Sequence, residues 1–141
     1  MDDKEIFSFL ESKLKKTRKL AYVNLNNYFL TDASYYVQYI EMRMQQFETI
    51  KGMRQHFQRF FMKYEQSVMI AEFTERVAES IYEENTAEIL IKELNILRDN
   101  FRKMPLPVTR EEFESRAMLF QFLNDVENFL VIKNEFKKIW C

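Results

Sequence analysis

Three tyrosines and one arginine lie at helical spacing in the first half of the chain: Tyr35, Tyr36, Tyr39 and Arg43. In a helix they fall on neighbouring turns, so their rings and the guanidinium group lie close together. Such a group can stack against an aromatic ring and pair with a carboxylate. Tyrosines at this spacing are also typical of a helical core whose rim carries the hydroxyl groups. Both interpretations predict a helix here.

A second charged group lies between the apolar positions of the first predicted helix, and it contains Lys13, Lys15, Lys16, Arg18 and Lys19. A basic run of this kind is usually a solvated helix face. The alternative is attraction to the anionic headgroups on the inner leaflet of a membrane. The sequence leaves both interpretations open.

Catalytic and metal chemistry have no matching pattern in the sequence. The single histidine, His56, is not part of a Glu-x-x-His motif, and the single cysteine, Cys141, is the last residue. Because Gly52 is the sole glycine, there is no Gly-x-Ser-x-Gly turn and no glycine-rich phosphate loop. We therefore expect a protein that is not an enzyme and uses no metal or other cofactor.

The composition is that of a helix-rich globular domain. Of 141 residues, 47% are hydrophobic and 30% are charged, with one glycine and two prolines available for turns. The net charge of −1 and the lack of a basic recognition helix argue against a nucleic-acid partner. No apolar run reaches the roughly eighteen residues of a membrane span, so we expect this chain alone to be soluble and to form a single domain over residues 1–141.

Apolar residues at three- and four-residue spacing predict an all-α, antiparallel bundle of about five helices, two of them long. We favour a second helix that runs unbroken through Gly52, although this residue can bend or divide it. The predicted ranges are 3–28, 32–62, 66–83, a fourth helix capped by Asn85 and ending before the proline-containing linker, and 109–139.

The clearest helix start follows the two prolines. Pro105 and Pro107 end the preceding helix near Lys103, since each proline lacks an N–H and disfavours a helical residue before it. Thr109 and Glu112 then match a capping box, in which the threonine hydroxyl accepts a hydrogen bond and the glutamate reaches back to the Thr109 N–H.

The spacing also predicts which side chains face the core. In the third helix these are Met69, Ile70, Phe73, Val77 and Ile81. In the last helix they include Phe113, Ala117, Phe120, Leu123, Val126, Phe129, Leu130, Phe136 and Trp140. Further apolar residues widen this surface, so the last helix is either central in the bundle or buried against another copy in a homo-oligomer.

The region around the prolines carries a family resemblance. Met104-Pro105-Leu106-Pro107, Thr109-Arg110-Glu111-Glu112-Phe113, Arg116-Ala117 and Leu119-Phe120-Gln121 resemble the signature of the C-terminal cytosolic domain of the putative aromatic acid exporter family. Weaker matches lie at Glu41-Met42-Arg43 and Glu83-Glu84-Asn85 and along the last helix. The similarity therefore covers most of the chain.

This resemblance implies the cytosolic, non-catalytic part of a bacterial membrane transporter. Its partner would be its own transmembrane domain in a longer protein, on the cytoplasmic side of the cell membrane. The expected role is oligomerisation, ligand sensing or regulation. The alternative from the residues alone is a free-standing soluble helical module for protein interaction.

Arg110 and Arg116 belong to the resembling segment, and they allow two interpretations. As signature residues they can bind a carboxylate. They can equally form ion pairs with Glu112, Glu114 or the acidic third helix. Both arginines lie near the start of the predicted last helix.

Overall fold

The computed structural model describes residues 2–27, 31–57, 64–82 and 87–140. In these ranges the chain forms five α-helices and no strand: α1 (Asp3–Asn27), α2 (Thr31–Phe57), α3 (Tyr64–Glu79), α4 (Glu88–Arg102) and α5 (Arg110–Trp140). The predicted all-α class is confirmed. The predicted Asn85 cap and the final residues of the predicted second helix lie outside the described residues.

The helices contact one another in the order α1, α2, α5, α4, α3, which differs from their order along the chain. Helices α2 and α5 are antiparallel, because Tyr35 lies beside Trp140 whereas Gln46, further along α2, bonds to Phe129. Helices α1 and α2 are antiparallel as well. Consequently α5 lies between α2 and α4, which is the first of the two arrangements that the width of its apolar surface predicts.

The larger core lies where α3, α4 and α5 meet. Helix α5 contributes Leu119, Phe122, Leu123, Val126, Phe129 and Leu130, and these contact Ile70, Phe73 and Val77 of α3 as well as the apolar face of α4. A smaller, separate core joins α1 and α2 through Ala21, Val37 and Ile40. Helix α1 is therefore attached by less apolar burial than α4.

Helix α4 has the most regular apolar face. Leu90, Leu94, Leu97 and Phe101 follow one another at helical spacing, and all four are buried. The residue before the helix, Ala87, has a φ of 64° and its side chain is also buried. This left-handed conformation costs about 1–2 kcal/mol for a residue with a Cβ, and burial in the core offsets part of that cost.

The start of α5 follows the predicted capping pattern with one shift. The N–H of Glu112 donates to the Thr109 hydroxyl at 3.1 Å, as predicted. The Glu112 carboxylate accepts from the N–H of Val108 at 2.9 Å, one residue before the predicted donor. Both hydrogen bonds hold the proline-containing linker against the first turn of α5.

Three core predictions differ from the structure. Ile81 is 47% exposed because α3 ends at Glu79, before that residue. Phe113 is 63% exposed and Ala117 is also exposed, since both line the open cavity beside the linker at the start of α5. Leu119, which was not predicted, is 1% exposed and is the first core residue of α5.

Gly52 lies inside α2, which continues for five residues beyond it to Phe57. A Cβ built at this position has no heavy atom within 4 Å. We therefore expect Gly52→Ala to raise the free energy of unfolding by about 0.5–1 kcal/mol, because alanine favours the helix and restricts the unfolded chain. Urea unfolding followed by circular dichroism measures the change. A lower stability would contradict an unbroken helix at Gly52.

Candidate functional site

The predicted tyrosine group lies where α2 meets the end of α5. The Tyr35 ring contacts four other rings, with centroid distances of 5.2 Å to Tyr36, 6.1 Å to Tyr39, and 5.5 Å to both Phe136 and Trp140. Tyr36 is largely exposed, while Tyr35 and Tyr39 are half-buried. The rings therefore contact other protein rings and join the two helices.

Arg43 extends this contact into the buried interface. Its Nε donates to the Tyr39 hydroxyl at 3.1 Å, and another guanidinium nitrogen donates to the Gln46 side-chain oxygen at 2.8 Å. The Gln46 amide then donates to the Phe129 carbonyl at 2.9 Å. A cavity of only about 10 Å³ lies beside Arg43 and Gln46, which is the space of one water molecule at most. This geometry favours a structural role for the tyrosine group.

Two buried lysines on α5 adjoin the same region, and the sequence interpretation missed both. Lys133 is 4% exposed, and its Nζ lies 5.5 Å from the centroid of the Tyr39 ring and 5.7 Å from that of Phe136. Lys137 lies one turn further on and is also buried. The sequence contains a signal for the burial of these two lysines, because both continue the helical stripe formed by Val126 and Leu130. The aromatic faces stabilise the Lys133 ammonium by cation–π attraction.

The two arginines of the family signature have different surroundings. Arg110 is exposed, and its side chain has no hydrogen bond or ion pair within the described ranges. Arg116 donates to the carbonyl of Pro105 at 2.5 Å, so it ties α5 back to the linker. Beside Arg116 is an open cavity of about 330 Å³, which Leu106, Phe113 and Phe120 help to line. The structure does not bring the two arginines together around one ligand.

The basic group on α1 is exposed at all five positions. Lys15 pairs with Glu11 at 3.3 Å and Arg18 pairs with Glu41 at 2.7 Å. Hydrogen bonding from Lys15, together with the nearby charge of Lys51, lowers the pKa of the Glu11 carboxyl below its ordinary value. Part of the group is therefore engaged in ion pairs on the protein surface.

An apolar groove lies between α2, α3 and α5, and sequence reasoning did not find it. Its volume is about 880 Å³, within the usual range for small-molecule sites. Its lining includes Ile50, Met53, Ile70, Ala78, Phe122, Val126 and Phe129. No local pattern predicts such a groove, because three segments that are distant in the sequence form its walls.

Polar groups at the groove are few and lie on different helices. Arg54 of α2 is the cationic side chain in the lining, and Glu75 of α3 is the acidic one. The Arg54 Nε pairs with Asp3 at 3.1 Å, and its guanidinium lies 5.0 Å from the centroid of the Phe7 ring. Within the described ranges the Arg54 hydrogen bond is to Asp3, and one arginine carries five N–H donors.

Metal binding and membrane crossing have no counterpart in the parts of the chain that the structure describes. No three His, Cys, Asp or Glu side chains there are grouped as metal ligands. None of the helices there has both the length and the apolar character needed to span a bilayer. The side chain of His56 lies outside the described residues.

Known proteins resemble this chain over most of its length. The model of the family described as the putative aromatic acid exporter C-terminal domain matches residues 1–134. The uncharacterized protein YqjA of Bacillus subtilis strain 168 is 40% identical over 126 residues, which cover 89% of this chain and 39% of that protein. The chain thus spans about two fifths of the length of this curated relative.

A solved structure has the same arrangement of helices. The crystal structure of a putative membrane protein from Clostridium difficile 630 matches with a TM-score of 0.79 and 25% sequence identity. The match covers 94% of this chain and 78% of that one. The fold described above therefore occurs in a related protein.

The two signature arginines provide a matched pair of variants. We expect Arg116→Ala to lower the free energy of unfolding by about 1 kcal/mol, because it removes the hydrogen bond to the linker carbonyl. Arg110→Ala, at an exposed position on the same helix, is expected to change it by less than about 0.5 kcal/mol. Urea unfolding of both variants measures the difference. Equal effects would contradict the tie between Arg116 and the linker.

Proposed function

The chain belongs to the family of putative aromatic acid exporter C-terminal domains, and from this we propose that it is the non-catalytic, cytosolic, ligand-sensing domain of an exporter-like membrane protein. The family description and the solved relative, a putative membrane protein, support the attachment to a membrane protein, and the curated relative has about three fifths of its length outside the matched region. The groove supports the sensing role. The family match and the groove are independent observations.

The observation that carries the sensing role is the apolar groove of about 880 Å³. An apolar space of this size is costly to leave in contact with water, and a ligand that fills it gains hydrophobic contact. Phe122 and Phe129 offer aromatic rings in its lining. These rings suit a flat aromatic body, the class of compound after which the family is described.

The charges at the groove determine which way an acidic ligand would lie. A carboxylate is repelled by Glu75 on α3 and attracted by Arg54 on α2. The acid group would therefore lie against Arg54, while the ring occupies the space near Val126 and Phe129. The proposed ligand is an aromatic carboxylic acid held in this orientation.

Ligand binding changes how firmly α3 is held. In the described ranges the backbone of α3 approaches that of α4, and α3 reaches α5 through side chains, whereas the backbones of α2 and α5 approach each other directly. A ligand in the groove contacts both α3 and the α2–α5 pair, so binding would fix α3 against that pair. This shift is the signal that we propose the domain passes to the attached transmembrane part.

Cell fractionation tests the membrane attachment. In the native source, an antibody to this domain is expected to detect a band well above 17.3 kDa in the membrane pellet, and the band should remain there after an alkaline carbonate wash. Protease treatment of spheroplasts should spare the domain until the membrane is permeabilised, because the domain faces the cytoplasm. A soluble band at 17.3 kDa would contradict the proposal and leave a free-standing interaction module.

Titration with 1-naphthoate tests the groove, with 1-naphthamide as its uncharged analogue. We expect naphthoate to bind and to raise the thermal unfolding temperature. Arg54→Gln should weaken naphthoate binding by about 10-fold or more, because it removes a hydrogen bond to a charged group. Naphthamide binding should change by less than about twofold in the same variant, since it carries no charge. Calorimetry gives both affinities.

Three further variants separate the groove from other effects. Asp3→Asn removes the Asp3–Arg54 ion pair but leaves Arg54, so it should retain naphthoate binding. Ala78→Phe places a ring into the groove and should abolish naphthoate binding. Ala117→Phe places a ring into the cavity beside Arg116 instead and should leave naphthoate binding unchanged. Binding that survives Ala78→Phe would contradict the proposed site.

A further inference from the structure

We propose that the outward face of α1 lies on the anionic surface of a phospholipid membrane. This outward face is formed by Phe9, Lys13, Lys16, Leu20 and Val23. The proposal rests on the proposed function, in that it assigns the face by which a membrane-attached domain contacts its own bilayer. The observations that carry it are the position of α1 in the fold and the residue types on its outer side.

Helix α1 is the outermost helix at one end of the bundle. Among the helices that the structure describes, it contacts α2 and no other. The contacts to α2 come from one side of α1, where Phe7 lies 5.8 Å from Phe47 between ring centroids and Arg18 pairs with Glu41. Ala21, on the same side, is buried. The opposite side of α1 is left without a helical neighbour in these ranges.

That opposite side exposes large apolar residues in a regular row. Phe9 is 59% exposed, Leu20 65% and Val23 51%. With Lys13 and Lys16 they recur every three or four residues, so they form one stripe along α1. A soluble surface helix usually shows polar residues opposite its packed side. Here the second side is apolar as well as cationic.

Alternation of large apolar groups and lysines is the chemistry of a helix that lies in a membrane interface. The apolar groups enter the boundary between headgroups and acyl chains, while the lysine ammonium groups meet the lipid phosphates. The long lysine stems can lie along apolar surface and keep the charge at the interface. Lys13 illustrates this arrangement, because its Nζ lies 5.3 Å from the centroid of the Phe9 ring.

The charges of the whole fold favour the same orientation. Helix α1 carries six basic and three acidic residues, whereas α3 carries one basic and four acidic residues. These two helices are at opposite ends of the order in which the helices contact one another. Glu5 is the acidic residue on the outer side of α1, and Lys13, Lys16 and nearby Lys19 outweigh it. An anionic surface therefore attracts α1 and repels α3, and these two helices do not contact each other in the described ranges.

Vesicle sedimentation of the 141-residue chain tests the proposal. We expect the chain to bind vesicles of phosphatidylcholine containing one third phosphatidylglycerol, and to bind pure phosphatidylcholine at least about 10-fold more weakly. The triple variant Lys13→Gln, Lys16→Gln, Lys19→Gln should weaken binding to the anionic vesicles about 100-fold, at about fivefold for each lysine. Circular dichroism checks that every variant remains folded.

Two matched controls assign the effect to this face. The variant Lys92→Gln, Lys103→Gln, Lys138→Gln removes the same charge from exposed positions outside α1 and should bind within about twofold of the original chain. Leu20→Ser should weaken binding severalfold, whereas Ile139→Ser, at an even more exposed apolar position on α5, should not.

Three results would overturn the proposal. They are equal losses in the two lysine variants, no binding to anionic vesicles at millimolar lipid, and a dimer in light scattering that Leu20→Ser dissociates. The last result would assign the outward face to a second copy of the chain. None of these results would move the band of the native protein out of the membrane pellet, so the proposed membrane attachment and this face can fail separately.

Discussion

Helices α2 and α5 lie side by side and antiparallel, and the positions of all other helices follow from this contact. At one end, Tyr35 and Tyr39 fill the space against Phe136 and Trp140, and the hydrogen bond from Gln46 to the Phe129 carbonyl fixes the register. Helix α1 is then attached to α2, and α4 to α5. Helix α3 reaches the pair mainly through α4 and through side chains, which leaves the apolar groove beside it.

The two ends of the α2–α5 contact consequently have opposite properties. The aromatic end is closed, because rings, buried lysines and the Arg43–Gln46 hydrogen bond occupy it. The other end opens into the groove, where apolar side chains face space instead of other side chains. Protein interiors are normally close-packed, so an open apolar volume of this size points to a ligand or a moving element. The proposed ligand belongs to the open end, and the ring contacts hold the closed end together.

Local sequence patterns predicted the helices and the cap at Thr109 because these depend on neighbouring residues. The apolar face of α4 was predictable for the same reason. Contacts between distant segments were not predictable from such patterns. Phe113 has the residue type of a core position yet lies beside the linker, and Lys133 has that of a surface position yet is buried between helices. The groove and the outward face of α1 depend on which helices become neighbours, and spacing within one helix does not contain that information.

Methyl-labelled nuclear magnetic resonance tests most directly whether the groove holds the proposed ligand. With isoleucine and methionine methyl groups labelled, addition of 1-naphthoate is expected to shift the signals of Ile50, Met53 and Ile70, which line the groove. The signals of Ile96 and Ile139, exposed elsewhere on the bundle, should stay in place. Shifts confined to the methyl groups outside the groove, or no shifts at saturating ligand, would contradict the account.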